Sequence, residues 1–358
     1  MKKISNINEL RENIDALDQQ ILKLISRRGK HALKIGDIKK EKGKQIYAPA
    51  REKKIFDRLS KINNGPYNEG AVHAVFREII SATRALEVPT NIAFLGPEAT
   101  FTHKAAVEHF GHSASYVAEL DISSVFREVE KGHADYGVVP IENSTEGMVN
   151  NTLDKFVESN LKICSEIVIS VDHHLLSAES ELSKIKRVYS HPQALAQCRH
   201  WLALHLPNAE LLHTESTANA ASRIVKEKGA AAIASNFAGD VYGLNILVRN
   251  IQDQQNNYTR FLVLGDKQAE PTKKDKTSIA FVTKDKPGIL YHLLQPLSAA
   301  KINLTKIESR PLKTKVWEYM FFVDLDGHVK DRKVSRALAQ LEKECVRFKV
   351  LGSYPKKV

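Results

Sequence analysis

Apolar residues recur at alternating steps of four and three through Leu10, Ile14, Leu17, Ile21 and Leu24, the spacing of one face of a long helix. No proline interrupts before Pro49, so the pattern predicts one helix from about residue 6 to 42, roughly 55 Å at the standard rise. Asn6 and Glu9 read as a capping box at its start. A helix of that length cannot bury its stripe alone. Segments 49–62 and 68–87 carry helical patterns that supply partners, and a second copy of the chain is expected to supply more.

From 91 to about 266 the period changes. Short apolar runs at 92–95, 136–141, 163–171, 187–189, 231–234 and 261–264 alternate with helical stretches, which predicts a mostly parallel sheet flanked by helices. Residues 268–276 (QAEPTKKDK) are polar and broken by Pro271, as in a linker. Beyond it the order is strand 278–283, helix 288–300, strands near 304–309 and 316–325, a helix from about 331 and a strand near 347–351. That is the ferredoxin-like split βαβ.

At 358 residues the chain exceeds the size of one core, so two or three domains are expected. Hydrophobic residues at 42% and charged residues at 27% fit an ordinary globular protein. Met1, Lys2 and Lys3 lead into no apolar segment, so neither a secretory leader nor a membrane anchor is expected, and the reading is cytoplasmic. Cys164, Cys198 and Cys345 form no paired spacing and read as buried thiols. The net charge of +11 invites a nucleic-acid reading, but the lysines are scattered and no basic block alternates with aromatics; anionic small substrates account for the charge equally well. His173 and His174 are adjacent in a strand and point to opposite sides, so no metal site is expected there.

Four segments concentrate polar groups at strand ends, where ligands sit in open α/β sheets. They are 96–102 (GPEATFT), 138–147 (VVPIENSTEG), 190–195 (SHPQAL) and 256–265 (NNYTRFLVLG). Each also has an ordinary reading: Asn143, Ser144 and Thr145 as a turn and helix cap, and Thr259 as a β-branched residue entering a strand. In the long helix the register continues through Arg28, His31, Ile35 and Ile38, placing a guanidinium where an apolar group belongs. An anion must meet it, either a neighbouring carboxylate or a ligand.

In order and spacing these segments resemble the signatures of prephenate dehydratase. The likeness extends to a chorismate mutase domain before residue 90 and a ligand-binding ACT domain after 276, so nearly the whole chain resembles the bifunctional chorismate mutase/prephenate dehydratases of phenylalanine biosynthesis. The resemblance implies a multidomain protein: an all-α mutase domain (1–90), a two-lobed α/β dehydratase domain (91–267) and an α+β ferredoxin-like ACT domain (277–355). It implies chorismate and prephenate as substrates, L-phenylalanine as inhibitor, no cofactor, no metal, no nucleic-acid or membrane partner, and a homodimer or higher homo-oligomer.

By the same resemblance the mutase pocket is formed by Arg11, Arg28, Lys39, Arg51, Glu52, Thr83 and Glu87, with Lys39 and Glu87 at the ether oxygen. Some relatives have an amide where Glu87 stands; to donate a hydrogen bond, Glu87 must be protonated. In the dehydratase domain the resemblance implies that Thr259 acts on the departing hydroxyl. Thr100, Glu142, Asn143, Ser144, His191, Gln193, Arg260 and Phe261 complete that cleft. In the ACT domain it places phenylalanine at Gly288, Ile289, Leu290 and at Glu308, Ser309, Arg310 and Pro311, segments that otherwise read as a turn and a surface ion pair. The alternative from another class is a small-molecule sensor on the same domains with one or both activities lost.

Overall fold

A computed structural model describes residues 6–41, 47–283, 286–311 and 319–356. Two compact units emerge: Met1–Ala48, Ile55–Thr90 and Phe110–Ser115 in one; Pro49–Lys54, Asn91–His109 and Tyr116–Val358 in the other.

The N-terminal stripe folds as expected into α1 (Ile7–Glu41), followed by α2 (Pro49–Ile62) and α3 (Glu69–Glu87). Asn6 accepts from the backbone of Asn8, and Asn68 caps α3 by accepting from Ala71. Pro49 opens α2, where its missing N–H costs nothing. Of α1 only Gly29 and Gly36 are buried, and both lie in its C-terminal half. The apolar stripe from Leu10 to Leu24 is exposed in the single chain, with Ile14 at 56% and Leu24 at 63%.

The described residues of the second unit form three sheets. The first joins β1 (Asn91–Leu95), β2 (Ser115–Glu119), β3 (Tyr136–Asn143), β4 (Gly147–Met148) and β5 (Lys162–Ser170). The second joins β6 (His174–Ser177), β7 (Arg187–Ser190), β8 (Glu210–His213), β9 (Ala230–Ala234) and β10 (Asn245–Val248). The chain then returns as β11 (Tyr258–Gly265), which inserts between β3 and β5 of the first sheet. Helices α4 (Phe101–Phe110), α5 (Ile122–Glu130) and α6 (Asn150–Glu158) accompany the first sheet. The second carries α7 (Pro192–Gln197), α8 (Arg199–His205), α9 (Thr217–Ile224) and α10 (Asn236–Tyr242).

The expectation of a mostly parallel sheet is corrected. Parallel pairing joins β1 to β3, β7 to β8 and β7 to β9, but β11 is antiparallel to both neighbours, and β6 is antiparallel to β9 and β10. A strand that re-enters a sheet from another lobe takes its direction from its point of entry, which periodicity does not encode.

The last sheet is the expected split βαβ, with β12 (Asp275–Val282), α11 (Ile289–Ala299), β13 (Leu304–Pro311), β14 (Tyr319–Asp326), α12 (Arg332–Glu344) and β15 (Arg347–Pro355) in the order β13-β14-β12-β15. Strands β12 and β14 are largely buried on both faces, whereas β13 exposes alternate residues. Ile279 and Phe281 pack on the helices through Leu293, Leu297, Val334 and Leu338, whereas Ala280, Val282, Phe322 and Leu351 share a core with Ile141, Phe156, Ile163 and Leu262 of the first sheet. Gly352 makes this close approach possible, since a Cβ there would collide with the backbone of Ile163. Cys164 and Cys198 are buried free thiols and Cys345 is half-buried, which corrects the expectation of three buried thiols. Burial pushes Cys164 and Cys198 up to about 12.

Candidate active sites

In the helical unit, Arg28 is held by α3: its guanidinium donates to Thr83 Oγ1 at 2.8 Å, and Thr83 in turn donates to the carbonyl of Ile79 at 2.5 Å. Lys40 donates to the backbone carbonyl of Glu87 at 3.3 Å. The Glu87 carboxyl packs against Gly36 of α1, where a Cβ would come within 2.8 Å of Oε2. Oε2 is buried and has no hydrogen-bond partner among the described residues. Burial raises the Glu87 pKa against the opposing pull of Lys39, Lys40 and Arg84. The raised pKa favours the protonated form of this carboxyl, which has an O–H to donate. Gly36 was not anticipated; a glycine inside a helix interior is the available signal, because it costs about 1 kcal/mol relative to alanine.

Arg28, Lys39, Thr83 and Glu87 thus belong to one unit. Arg11 is exposed on α1, about 26 Å along the axis from Arg28 at 1.5 Å per residue. Arg51 and Glu52 lie in the first turn of α2, within the segment grouped with the other unit.

In the second unit a cavity of about 360 Å³ opens between the first and second sheets. Its floor is β11, where Thr259 and Phe261 point inward two residues apart, as strand pleating requires. Asn143 ends β3 opposite Thr259. Its carbonyl oxygen accepts the backbone N–H groups of Thr145 and Glu146 at 2.9 and 3.0 Å, which fixes the amide so that its nitrogen donates to Thr259 Oγ1 at 2.8 Å. One lone pair of Thr259 Oγ1 is thus taken by Asn143, and its own proton meets no acceptor among the described residues. Thr100 lines the wall while capping α4, accepting from the backbone of His103. Ala99, at φ +63° and fully buried, marks the strained turn that brings α4 in. His191 caps α7, and it lines the cavity together with Gln193. The N-termini of α4 and α9, through Thr100 to Thr102 and Ser216 and Thr217, also face this space and favour a bound anion.

Three expected cleft residues do not line it. Arg260 alternates to the opposite face of β11 and bonds Glu166 at 2.9 Å, Asp324 at 2.7 Å and the Tyr354 hydroxyl at 2.9 Å. Glu142 pairs with Lys306 at 2.5 Å on that same far side. Ser144 accepts from the backbone of Tyr258 and ties the loop to β11. Adjacent strand residues face opposite ways, so Thr259 and Arg260 could not both reach one ligand.

The cavity in turn contains residues the sequence reading had not assigned to it. His173 is 3% exposed and shares a hydrogen bond with Gln197 at 2.8 Å; burial lowers its pKa, which favours the neutral ring. Phe101, Glu146, Glu215 and Asn257 complete the wall. Neither lysine nor arginine lines it among the described residues.

Comparison with known proteins settles the class. The chorismate mutase type II family model matches residues 10–88, that of prephenate dehydratase matches 92–269 and that of the ACT domain matches 277–343. The bifunctional chorismate mutase/prephenate dehydratase of Aquifex aeolicus is 49% identical over 99% of both chains, and that of Stutzerimonas stutzeri is 44% identical over the full length of both. The chain belongs to this family. It is a bifunctional enzyme, with a helical mutase domain, an α/β dehydratase domain and an ACT domain, and the sensor alternative is not favoured. A crystal structure of prephenate dehydratase from Arthrobacter aurescens in complex with L-Phe superposes with a TM-score of 0.69 at 35% identity, covering 75% of this chain and 90% of that one.

In the ACT domain, Gly288 precedes α11 at φ +75°, a conformation suited to glycine, with Ile289 and Leu290 half-buried behind it. Glu308, Ser309, Arg310 and Pro311 end β13. Arg310 reaches out of its own domain to Asp154 Oδ1 at 2.6 Å and to the carbonyl of Asn150 at 2.7 Å, both on α6.

Proposed function

We propose that the two reactions use the residues above in different ways. Chorismate needs no acid, base or nucleophile to rearrange; it needs a compact conformation and stabilisation of negative charge growing on its ether oxygen. Arg28 holds a substrate carboxylate, while Lys39 and protonated Glu87 donate to the ether oxygen. The buried, unpartnered oxygen of Glu87 carries this reading. Arg11 is too distant along α1 to serve the same pocket, and the exposed stripe from Leu10 to Leu24 needs a cover. A homodimer in which two copies pair along α1 answers both needs, each copy supplying Arg11 to the other's pocket.

Prephenate, a dianion, loses one carboxylate as CO2 and its ring hydroxyl as water, taking up one proton and leaving phenylpyruvate. The electron pair of the breaking C–C bond moves into the ring as the hydroxyl departs, so that oxygen needs a donor. Thr259, one lone pair engaged by Asn143, turns its proton towards it. The remaining carboxylate is held by helix N-termini, His191, Gln193 and Thr100. The carboxylate that leaves faces Phe101, Phe261 and Val149, with no lysine or arginine among the described residues of the wall to stabilise its charge, which favours departure as a neutral molecule.

L-phenylalanine binds at 288–290 and 308–311, a reading supported by the L-Phe complex of the Arthrobacter relative. Arg310 connects that site to α6, which follows directly from the loop carrying Asn143. The free thiols Cys164 and Cys198 fit a cytoplasmic location; among the described residues no helix is long and apolar enough to cross a membrane. The test is to supply chorismate alone and follow phenylpyruvate, with prephenate as control. Product from both substrates is expected. Product from prephenate only would contradict the mutase reading, and product from neither would contradict both.

A further inference from the structure

Glu142 and Arg260 stand next to Asn143 and Thr259 on β3 and β11, and they pair across the sheet just as Asn143 pairs with Thr259. One pair faces the cavity. The other faces the ACT sheet, and every strand of that sheet answers it. Lys276 and Ser278 come from β12, Lys306 from β13, Asp324 from β14 and Tyr354 from β15.

The contacts form one connected cluster. Glu166 receives Arg260 Nε and, at 2.8 Å, the Lys276 ammonium. Asp324 takes one guanidinium nitrogen on one oxygen and the Ser278 hydroxyl, at 2.5 Å, on the other; that hydroxyl also shares a hydrogen bond of 2.7 Å with Tyr354. Three acids face three bases. The Arg260 side chain is 14% exposed and that of Glu166 3%. A void of about 30 Å³ beside Arg260, Asp324 and Lys306 has room for one bound water.

A buried ion cluster is weak evidence for stability, because apolar residues of similar volume often serve as well. What charges add is a fixed position. The register of β11 against β3 slips by one residue between Arg260 and Phe261, and the guanidinium is clamped beside that irregularity. Displacing Arg260 turns the strand, and turning the strand moves Thr259 relative to Asn143.

We propose that Arg260 is a positioning residue for the dehydratase reaction and that the ACT sheet, through Asp324 and Tyr354, sets the geometry of the Thr259–Asn143 pair. The inference rests on the role given to Thr259 above. It makes the ACT domain a structural part of the dehydratase centre even when no effector is bound.

The test uses the full chain, with mutase turnover as the internal control for folding. Asp324→Asn and Tyr354→Phe touch no cavity residue, and the second removes a single hydroxyl. Asp324→Asn should lower prephenate kcat by about 10-fold and Tyr354→Phe by about 3-fold, each with KM changed less than about 2-fold and mutase turnover unaltered. In a Thr259→Ala background, Asp324→Asn should cost less than about 2-fold further, because the group being positioned is gone. Wild-type kcat in both ACT variants, a loss confined to KM, or an undiminished loss in the Thr259→Ala background would overturn the proposal. Full turnover in Thr259→Ala alone would instead overturn the donor role of Thr259 and remove the basis for both. Lost turnover in Thr259→Ala beside wild-type turnover in Asp324→Asn and Tyr354→Phe would sink the positioning role only.

Discussion

The mutase pocket and the dehydratase cavity receive closely related dianions, yet their electrostatics are opposite. The first, as proposed above, has Arg28 and Lys39 beside an acid whose pKa burial raises; the second has Glu146 and Glu215 on its wall and neither lysine nor arginine among the described residues. The difference follows from where charge goes during each reaction. In the rearrangement negative charge builds on an oxygen that stays in the molecule, so fixed cations stabilise the transition state more than the ground state. In the elimination a carboxylate must shed its charge, and a cation paired with it would stabilise the ground state instead.

The sharpest way to break this contrast is at Arg28. Arg28→Ala should reduce mutase kcat/KM by about 100- to 1000-fold, through loss of the clamp that holds chorismate compact, and lysine should restore little because it cannot fork onto a carboxylate. Steady-state assays with chorismate check it; a loss below about 5-fold would leave the seam cation without a role.

Glu87 offers a second test. Its pKa is raised, so the protonated, donating form persists to higher pH than for an ordinary carboxyl and is lost as pH climbs through the folded value. Mutase kcat should fall across that window, whereas Glu87→Gln, which cannot ionise, should give a flat profile and about 10-fold higher turnover than the parent on the alkaline side. Identical profiles would refute the proton.

A cation outside both centres tests the link to regulation. Arg310→Ala should raise the phenylalanine concentration for half-inhibition of prephenate turnover by about 5-fold, within the usual range of coupling energies. Equal inhibition of both proteins would move the effector site elsewhere. The smallest effect is expected at Glu146. Glu146→Gln removes a like charge from the cavity wall and should lower KM for prephenate by about 3-fold without raising kcat; a higher KM would mean that the carboxylate holds substrate.

Much of this was legible in the chain itself. Helices α1 to α3 fall within a residue or so of their expected ends because a sustained apolar stripe, Pro49 and Asn68 leave few alternatives. The ACT order followed from periods that switch cleanly between strand and helix. Strand direction around β11 was not legible, since nothing local in 258–265 says from which side the chain re-enters the sheet. For Arg260 the signal was present, because one member of a Thr-Arg pair in a strand must face away from the ligand. His173 was weighed only as a metal ligand, and its place on the cavity wall depends on the crossing between two sheets, a tertiary fact. Gly36 and Gly352 matter for what cannot fit beside them, and sequence shows the missing side chain but not the neighbour.

The most direct test is reciprocal: both activities measured in both Arg28→Ala and Thr259→Ala. Thr259→Ala should lose prephenate turnover by about 100-fold or more and keep chorismate turnover, while Arg28→Ala shows the reverse. If either variant lost both activities while remaining folded, or if Thr259→Ala kept its prephenate turnover, two separate centres of opposite electrostatic design could not be the right account.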